Sequence, residues 1–390
     1  MTATVTSQFG FSVDADIHEL RLQHPQIAAV WSWDTDGRIT LTKLTHSGSG
    51  TDWIDPAFPS QLYAPPYRMV KHVPDGVPFI LGPAHANLAA PTVAVEDDGR
   101  VHATWRMSPV NEPIELTWHI QAFPNHAVVR QWAEIRNAGD SPLTLDEVPI
   151  LRFVLGGAPS ELTADYGLER IRYRDGRGRA DWHSWNTQTL RSGNRIQIRS
   201  GYTRNATWLA LSTANNGPSL FAGWESNAEA FCDVGDLHGD GALGLTCALR
   251  PNYRLDPGQT LTGPAGFIGL VEGDLDELSY RCQRFVDDHL SWVDTDERFP
   301  YVTFNSWGYD DEIDDASMRE CFDICAKLGV ELFVVDFGWE DAEWRPLADT
   351  FPNGLAPLAG AAHAAGMKLG IHFSWGNISN LSEALNEHPE

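Results

Sequence analysis

The segment ELFVVDFGW, residues 331–339, decides the fold of the second half of the chain. Its strand part is apolar at consecutive positions, which is typical of a strand buried on both faces of a parallel sheet. Two similar short strands, YVTFNSW at 301–307 and KLGIHFS at 368–374, lie before and after it in the sequence. We therefore predict a parallel sheet that is covered by helices.

Helical patterns separate these strands. After Asp314, apolar side chains recur at three- and four-residue spacing as far as Gly329, which predicts the first helix. A second helix is predicted before Gly366 and a third at 381–388. The part 298–390 is thus predicted to hold about three strands, the start of a (β/α)8 TIM barrel. A closed barrel needs about 250 residues, so we expect this chain to be the N-terminal fragment of a longer protein.

Residues 1–272 have the alternating pattern of β-strands. In ELTWHIQAF, residues 115–123, apolar and polar side chains alternate, and many such short strands predict a large antiparallel β-sandwich. Residues 273–297 change to helical spacing and are predicted to form a linker helix. Asp274 and Glu277 at its start match a capping box, in which each side chain accepts from the other's backbone amide.

The charge balance excludes two classes of partner. The chain has 28 Lys and Arg against 53 Asp and Glu, which gives a formal net charge of −25. Such a chain repels nucleic-acid phosphates and anionic membrane surfaces, so we expect neither as a partner. No apolar run reaches the length of a membrane-spanning helix.

The cysteines and the N-terminus indicate the cytoplasm. Five cysteines in 390 residues do not make a disulfide framework. The first residues have neither the basic start nor the apolar core of a signal peptide. No His or Cys spacing predicts a metal site, and no motif predicts a cofactor. We therefore expect a cytoplasmic protein without a metal or cofactor.

Aromatic and polar side chains follow each predicted strand of the parallel sheet. The clusters 305–311, 336–341 and 372–377 each combine a tryptophan with polar groups. Binding residues lie at the carboxyl ends of strands in parallel α/β folds. A hexose is held by aromatic rings against its C–H face and by carboxylates and amides on its hydroxyls. The three clusters therefore predict a sugar pocket.

Most of these polar residues also have a structural explanation. The pair 310–311 fits a solvated helix start as well as a binding site. His372 fits a hydrogen-bonded strand residue, and Glu340 and Asp341 fit ordinary loop charges. Asp336 is harder to explain in this way, because it ends an apolar strand and has no basic neighbour in the sequence.

Five motifs in the second half resemble glycoside hydrolase family 36, the α-galactosidases. In chain order they are FNSW (304–307), VVDFGW (334–339), EWRPLADTFPNGLAPL (343–358), GMKLGIHF (366–373) and LNEHPE (385–390). Segments 255–266 and 274–290 are also similar to the family's sandwich exit and linker. The resemblance implies an N-terminal β-supersandwich, a connecting helix and a (β/α)8 catalytic barrel.

The resemblance also implies a reaction and a set of substrate-binding residues. Family members are retaining glycosidases, which use one carboxylate as nucleophile and another as acid/base. In the family these lie on the fourth and sixth barrel strands, so we expect both beyond residue 390 and name no catalytic residue. Carried over to the matching positions of this sequence, the family's roles imply that Asp336 accepts hydrogen bonds from sugar hydroxyls and that Trp307 and Trp339 form an apolar wall.

Two positions depart from the family pattern. Phe337 stands where the family has a second acidic residue, and 374–376 reads Ser-Trp-Gly where it has Glu-Pro-Glu. Losing a partner for a sugar hydroxyl alters which sugar is accepted. The leading interpretation is a retaining hydrolase of terminal α-galactosides of oligosaccharides. An α-N-acetylgalactosaminidase, a raffinose-synthase-like galactosyl transferase and a non-catalytic carbohydrate-binding protein are the alternatives.

The resemblance further implies a homo-oligomer, in which the sandwich of one subunit approaches the pocket of another. The aromatic and Pro-rich loop 51–68 is a candidate for that contact, and a packed structural loop is the alternative. Because both expected carboxylates lie elsewhere, we expect the 390-residue chain alone to be inactive.

Overall fold

The computed structural model describes the chain in segments. The described residues are 9–34, 39–54, 70–72, 79–80, 86–109, 113–145, 148–157, 161–173, 179–200, 205–213, 217–226, 230–237, 242–249, 253–291, 300–309 and 312–373. The chain divides into two compact units, Met1–Ser291 and Trp292–Glu390. Most of the loop 51–68, the pair 310–311, the cluster 374–377 and the predicted helix at 381–388 lie outside the described residues.

Antiparallel sheets make up the first unit. The largest has 11 strands: β7 (Ala86–Leu88), β8 (Thr92–Val95), β9 (Val101–Pro109), β10 (Ile114–Phe123), β11 (His126–Asn137), β14 (Glu161–Tyr173), β15 (Arg179–Arg191), β17 (Asn205–Ser212), β18 (Pro218–Trp224), β22 (Thr260–Thr262) and β23 (Gly266–Glu272). Its main path runs β15-β14-β17-β18-β23-β11-β10-β9-β7, with β22 paired to β11 and β8 to β9. The sheet therefore joins strands that are far apart in the sequence.

Three four-stranded sheets accompany it. The first contains β1 (Gly10–Asp14), β2 (Glu19–Gln23), β3 (Ile27–Trp33) and β4 (Ile39–His46) in sequential order. The second contains β5 (Val70–His72), β6 (Phe79–Ile80), β12 (Leu143–Leu145) and β21 (Tyr253–Leu255). The third contains β13 (Val148–Leu155), β16 (Arg195–Arg199), β19 (Ala230–Asp236) and β20 (Leu243–Leu249). One apolar core contains residues from all four sheets of the unit. The predicted antiparallel β-rich N-terminal region is confirmed.

Strand alternation places tryptophans in this core. Trp105 on β9 pairs directly with Trp118 on β10, and both rings are fully buried. The two rings stack with centroids 5.1 Å apart. Because successive side chains of a strand point to opposite faces, His119 lies on the other side of the sheet from Trp118. These two tryptophans therefore fill the sandwich core.

One helix follows the last strand of the first unit. Helix α1 (Leu275–His289) packs on β23 and β18 and buries Leu278, Cys282 and Phe285. Asp274 caps it by accepting from the backbone N–H of Glu277 at 2.9 Å. The structure shows only this half of the predicted capping box, because the Glu277 carboxylate accepts from Arg281 Nε at 2.7 Å instead. No helix in the described part of the chain is long and apolar enough to cross a membrane.

The second unit contains a parallel sheet with helices between its strands. The strands are β24 (Thr303–Asn305), β25 (Leu332–Val335) and β26 (Lys368–Ile371), with β25 in the centre. The helices are α2 (Asp315–Lys327) and α3 (Ala356–Ala364). The predicted parallel pairing is confirmed for these three strands. Their continuation into a (β/α)8 barrel stays a prediction.

Local sequence explains both helices. Asp314 and Ser317 form a complete capping box at the start of α2, with the Ser317 N–H bonded to Asp314 Oδ1 at 2.7 Å. The α2 side chains at three- and four-residue spacing are buried, and they are Met318, Cys321, Phe322 and Cys325. Helix α3 begins with a proline in its first turn and buries Leu358 and Ala362. These side chains belong to one apolar cluster with Phe333 and Val335 of β25.

Limited proteolysis of the 390-residue chain is expected to leave a stable product that ends near residues 270–300. Each unit has its own apolar clusters, so the first does not need the second to fold. The second unit leaves Val302, Ile371 and Phe373 about half exposed, and exposed apolar strands are easily opened and cleaved. Mass spectrometry of the product identifies its end. A chain that resists protease throughout would contradict the expectation.

Candidate functional site

The carboxyl ends of the three parallel strands are tied together by hydrogen bonds. Ser306, which follows β24, accepts the backbone N–H of Asp336 on its Oγ at 2.8 Å. The indole N–H of Trp339 donates to the carbonyl oxygen of His372 at 2.9 Å, and the His372 N–H donates to the Val335 carbonyl at 2.8 Å. The residues that follow each strand therefore lie at one edge of the sheet, as the sequence predicted.

Asp336 is a buried carboxylate at the end of the central strand. Its side chain belongs to a residue that is only 9% exposed. One oxygen, Oδ1, accepts the backbone N–H of Phe337 at 2.7 Å. No Lys, Arg or His in the described segments forms an ion pair with it. Burying a carboxylate in this way is costly unless further donors reach it, which makes Asp336 the strongest candidate for binding a ligand.

Trp339 lies in the apolar cluster of the second unit. Its residue is 3% exposed, and the cluster also contains Phe333 and Phe351. The indole N–H donates to the carbonyl oxygen of His372, which fixes the orientation of the ring within this cluster. The predicted contact between Trp339 and a sugar stays a prediction, and packing is the role that the structure shows.

Trp307 lies in a 3-10 turn, Ser306–Tyr309, directly after β24. Its backbone N–H donates to Asn305 Oδ1 at 2.7 Å, which fixes the start of the turn. The side chain is partly buried, so it keeps solvent-accessible surface at the edge where Asp336 lies. Its contact with a ligand also stays a prediction.

Asp341 holds a loop together. Its Oδ1 accepts the backbone N–H groups of Glu343 at 2.8 Å and Arg345 at 3.0 Å, and its Oδ2 accepts Arg345 Nε at 3.0 Å. These hydrogen bonds, that from the Arg345 backbone foremost, lower the pKa of the Asp341 carboxyl. The interpretation of Asp341 as a structural loop charge is supported.

Glu340 has a different environment. Its Oε2 is buried and has no hydrogen-bond partner in the described part of the chain, and burial raises the pKa of its carboxyl. This carboxylate follows Trp339 at the same edge as Asp336, so a ligand hydroxyl could satisfy it. Sequence reasoning missed this feature, because the burial of a single oxygen depends on the loop around it.

Aromatic side chains with accessible surface complete this edge. Phe337 is 46% and Phe373 48% exposed, and the Phe373 ring lies 4.9 Å from that of Trp344. Trp344 has φ of 56°, a left-handed conformation that a bulky residue rarely adopts. Exposed aromatic rings and the buried carboxylate of Asp336 are the two kinds of group that bind a sugar. Among the described residues, no group of three or more His, Cys, Asp and Glu is placed to hold a metal ion.

For the glycosidase activity that the resemblance implies, we expect replacement of Ser306 by alanine to lower kcat/KM about 10-fold. Ser306 is fully buried, and its loss leaves the Asp336 N–H without its acceptor, which costs about 1–3 kcal/mol. Ser317→Ala is the matched control, because it removes a capping serine from α2 at a similar cost to stability. Steady-state kinetics and thermal unfolding of both variants separate the two roles. Equal kcat/KM for the two variants would contradict a positioning role for Ser306.

Part of the chain is similar to a known protein family. Residues 260–390 match the family model described as Melibiase. The chain is 33% identical over 176 residues to "Probable alpha-galactosidase G" from Aspergillus terreus, a match that covers 38% of this chain and 24% of the relative. It is 24% identical over 306 residues to "Alpha-galactosidase C" from Emericella nidulans, covering 69% of this chain and 38% of the relative.

Solved structures show the same fold. The galactosidase domain of the alpha-galactosidase-sucrose kinase AgaSK superposes with a TM-score of 0.78 at 15% identity, over 97% of this chain and 59% of that one. AgaA from Geobacillus stearothermophilus, a GH36 alpha-galactosidase solved with 1-deoxygalactonojirimycin, gives 0.73 at 15% identity, over 95% and 58%. The chain thus spans under two fifths of these curated relatives and about three fifths of these structures. Its resemblance to the α-galactosidases of glycoside hydrolase family 36 is confirmed, with residues 260–390 matching the Melibiase family.

Proposed function

We propose that the protein to which this chain belongs hydrolyses terminal α-galactosides of oligosaccharides. The observation that carries the proposal is Asp336, a buried carboxylate without a cationic partner among the described residues, at the end of the central parallel strand. The relatives of this chain are named α-galactosidases, and a related AgaA structure contains raffinose. These findings support a neutral galactoside as the ligand of the strand-end edge.

In this proposal the chain supplies the sandwich and the first strands of a (β/α)8 catalytic barrel. The strand order β24-β25-β26 and the intervening helices α2 and α3 support it. Asp336 accepts hydrogen bonds from the glycone hydroxyls, and Trp307 and Trp339 shape the apolar side of the subsite. A carboxylate that accepts from sugar hydroxyls is selective, because a sugar lacking the hydroxyl leaves it unpaired.

The reaction is proposed to retain anomeric configuration. One carboxylate attacks the anomeric carbon and the other protonates the leaving oxygen, at a separation of about 5–5.5 Å. We assign neither role to a residue of this chain and place both on later barrel strands. Asp336, Trp307 and Trp339 therefore act in binding and orienting the glycone, which contributes to the rate by positioning.

An α-N-acetylgalactosaminidase is the second candidate, and Phe337 favours it. This side chain is adjacent to Asp336 and 46% exposed, so it presents apolar surface at the strand-end edge. A methyl group of an N-acetyl substituent packs favourably on such a ring, whereas a hydroxyl finds no partner there.

A panel of nitrophenyl glycosides tests the proposal with the whole protein. We expect kcat/KM for the α-galactoside to exceed those for the β-galactoside and the α-glucoside by at least about 100-fold. The α-glucoside misplaces the C4 hydroxyl and leaves its partner unpaired, and the β-galactoside directs its leaving oxygen away from the acid/base carboxylate. Preference for the α-N-acetylgalactosaminide would select the second candidate. Absence of turnover with every α-glycoside would contradict hydrolysis.

A further inference from the structure

The first unit contains a cavity of about 220 Å³ that lies between its strands and the start of α1. Polar residues from several elements line it, and they are Gln26, His46, Asn125, His126, Glu272, Glu277 and Arg281. His46 ends β4, Asn125 and His126 come from the β10–β11 hairpin, and Glu272 ends β23. Convergence of several elements on one cavity is typical of a binding site.

The floor of the cavity is apolar. Val128, Phe221 and Leu270 line it, and each is at most 2% exposed. Their burial is shared with the cores beneath, so the floor is a fixed surface. Because so little of these side chains is accessible, a ligand contacts chiefly the polar walls, which suits a compound with several hydroxyls.

Glu272 and His46 lie side by side in the wall of the cavity. His46 Nδ1 lies 3.9 Å from Glu272 Oε2. The imidazole of His46 is largely neutral near pH 7, because burial lowers its pKa.

Charge selects the class of ligand. Arg281 Nε donates to the Glu277 carboxylate at 2.7 Å. Among the described residues, the basic nitrogen that pairs with Glu272 is His46 Nδ1, at 3.9 Å. The walls thus carry excess negative charge, which disfavours an anion. They also contain donors, the Arg281 guanidinium and the Asn125 amide, which a cationic ligand could not use. A neutral polyhydroxylated ligand uses donors and acceptors alike.

We propose that this cavity binds one neutral sugar unit; its lining shares no residue with the site around Asp336. Its volume is below the range of about 300–1,000 Å³ found for drug-sized ligands, so it suits a single ring. Every lining residue belongs to the first unit, and the site therefore does not depend on the proposed hydrolysis.

Titration of the Asp336→Ala chain with D-galactose tests the site, because this background removes the contribution of Asp336. We expect saturable binding by calorimetry and saturation-transfer NMR, with Kd of about 1 mM, as a 12-atom ligand of ordinary efficiency gives. Adding Glu272→Ala should weaken it about 10-fold, because a charged hydrogen-bond acceptor is lost. Glu115→Ala is the matched control: this β10 carboxylate is similarly exposed, pairs with Arg136 and does not line the cavity.

D-galacturonate is expected to bind at least about 5-fold more weakly than D-galactose, because its carboxylate meets Glu272. Glu272→Gln should recover part of the galactose affinity, which excludes misfolding as the cause of the loss. The proposal is overturned if the Asp336→Ala chain shows no saturable binding, if Glu272→Ala binds as Glu115→Ala does, or if galacturonate binds equally well. Cavity binding without α-galactoside turnover by the whole protein would refute the proposed function alone.

Discussion

Replacing Asp336 by alanine is expected to lower kcat/KM of the whole protein toward an α-galactoside by at least about 100-fold. A hydrogen bond to a charged group contributes about 1.5–3 kcal/mol, and a carboxylate that accepts from more than one hydroxyl loses more than one such bond. The structure supports this role, because Asp336 is 9% exposed and only one of its oxygens has a described partner, the Phe337 N–H.

The folded state should tolerate this substitution. The Asp336 carboxylate bonds the backbone of its own neighbour, and its backbone N–H keeps Ser306 as acceptor. We therefore expect thermal unfolding close to that of the parent protein. Asp323→Ala, which removes an exposed carboxylate from α2, serves as the control and should leave kcat/KM unchanged. Near-normal turnover by Asp336→Ala would remove this residue from the proposed site.

Acidification is expected to destabilise the first unit through His119. This imidazole stacks on Trp132 with ring centroids 4.7 Å apart, and its Nδ1 lies 2.9 Å from His102 Nε2. Its Nε2 is buried without a hydrogen-bond partner among the described residues, and Glu134 Oε1 lies 3.7 Å away. Burial, and secondarily repulsion from His102, lower the pKa of His119 from 6.5 to about 4. The neutral form is thus the one that fits the folded sheet.

The direction of the pH effect follows from this depressed pKa. Between pH 6.5 and 4 the unfolded chain binds a proton at His119 that the folded chain does not, so the contribution is full above pH 6.5 and is lost as the pH falls. The pKa shift of His119 from 6.5 to about 4 corresponds to about 3 kcal/mol in the free energy of unfolding. We expect a loss of about 2 kcal/mol, because the ring keeps some solvent contact.

Urea unfolding at pH 7 and pH 4 measures this contribution. In His119→Gln the difference in the free energy of unfolding between the two pH values should shrink by about 2 kcal/mol. His363→Gln changes an exposed histidine of α3 and should leave the difference unchanged. An identical pH dependence in parent and His119→Gln would refute the assignment.

The parallel sheet was predictable because its signal is local. Four consecutive apolar residues form β25, and the helices on either side carry periodic apolar positions and caps. The arrangement of the first unit was not predictable in this way. Strand β11 pairs with β23, which lies more than 100 residues later, and no local pattern specifies such a partner.

Some features of the candidate site were likewise predictable from the sequence, and others were not. Position at a strand end identified Asp336, because topology alone brings the carboxyl ends of parallel strands together. The orientation of Trp339 depends on contacts with residues distant in sequence, Phe351 and His372, so its burial could not be read from VVDFGW. Half of the predicted capping box was wrong for a different, local reason: Arg281, one turn later on the same helix, donates to the Glu277 carboxylate.

A structure of the whole protein with 1-deoxygalactonojirimycin tests the central claim most directly. This inhibitor occupies the related AgaA α-galactosidase, and it presents the hydroxyls of a galactose ring. We predict that it binds at the carboxyl ends of β24, β25 and β26, with an Asp336 carboxylate oxygen about 2.5–3.0 Å from a ring hydroxyl. An inhibitor bound elsewhere, or bound without contact to Asp336, would contradict the account.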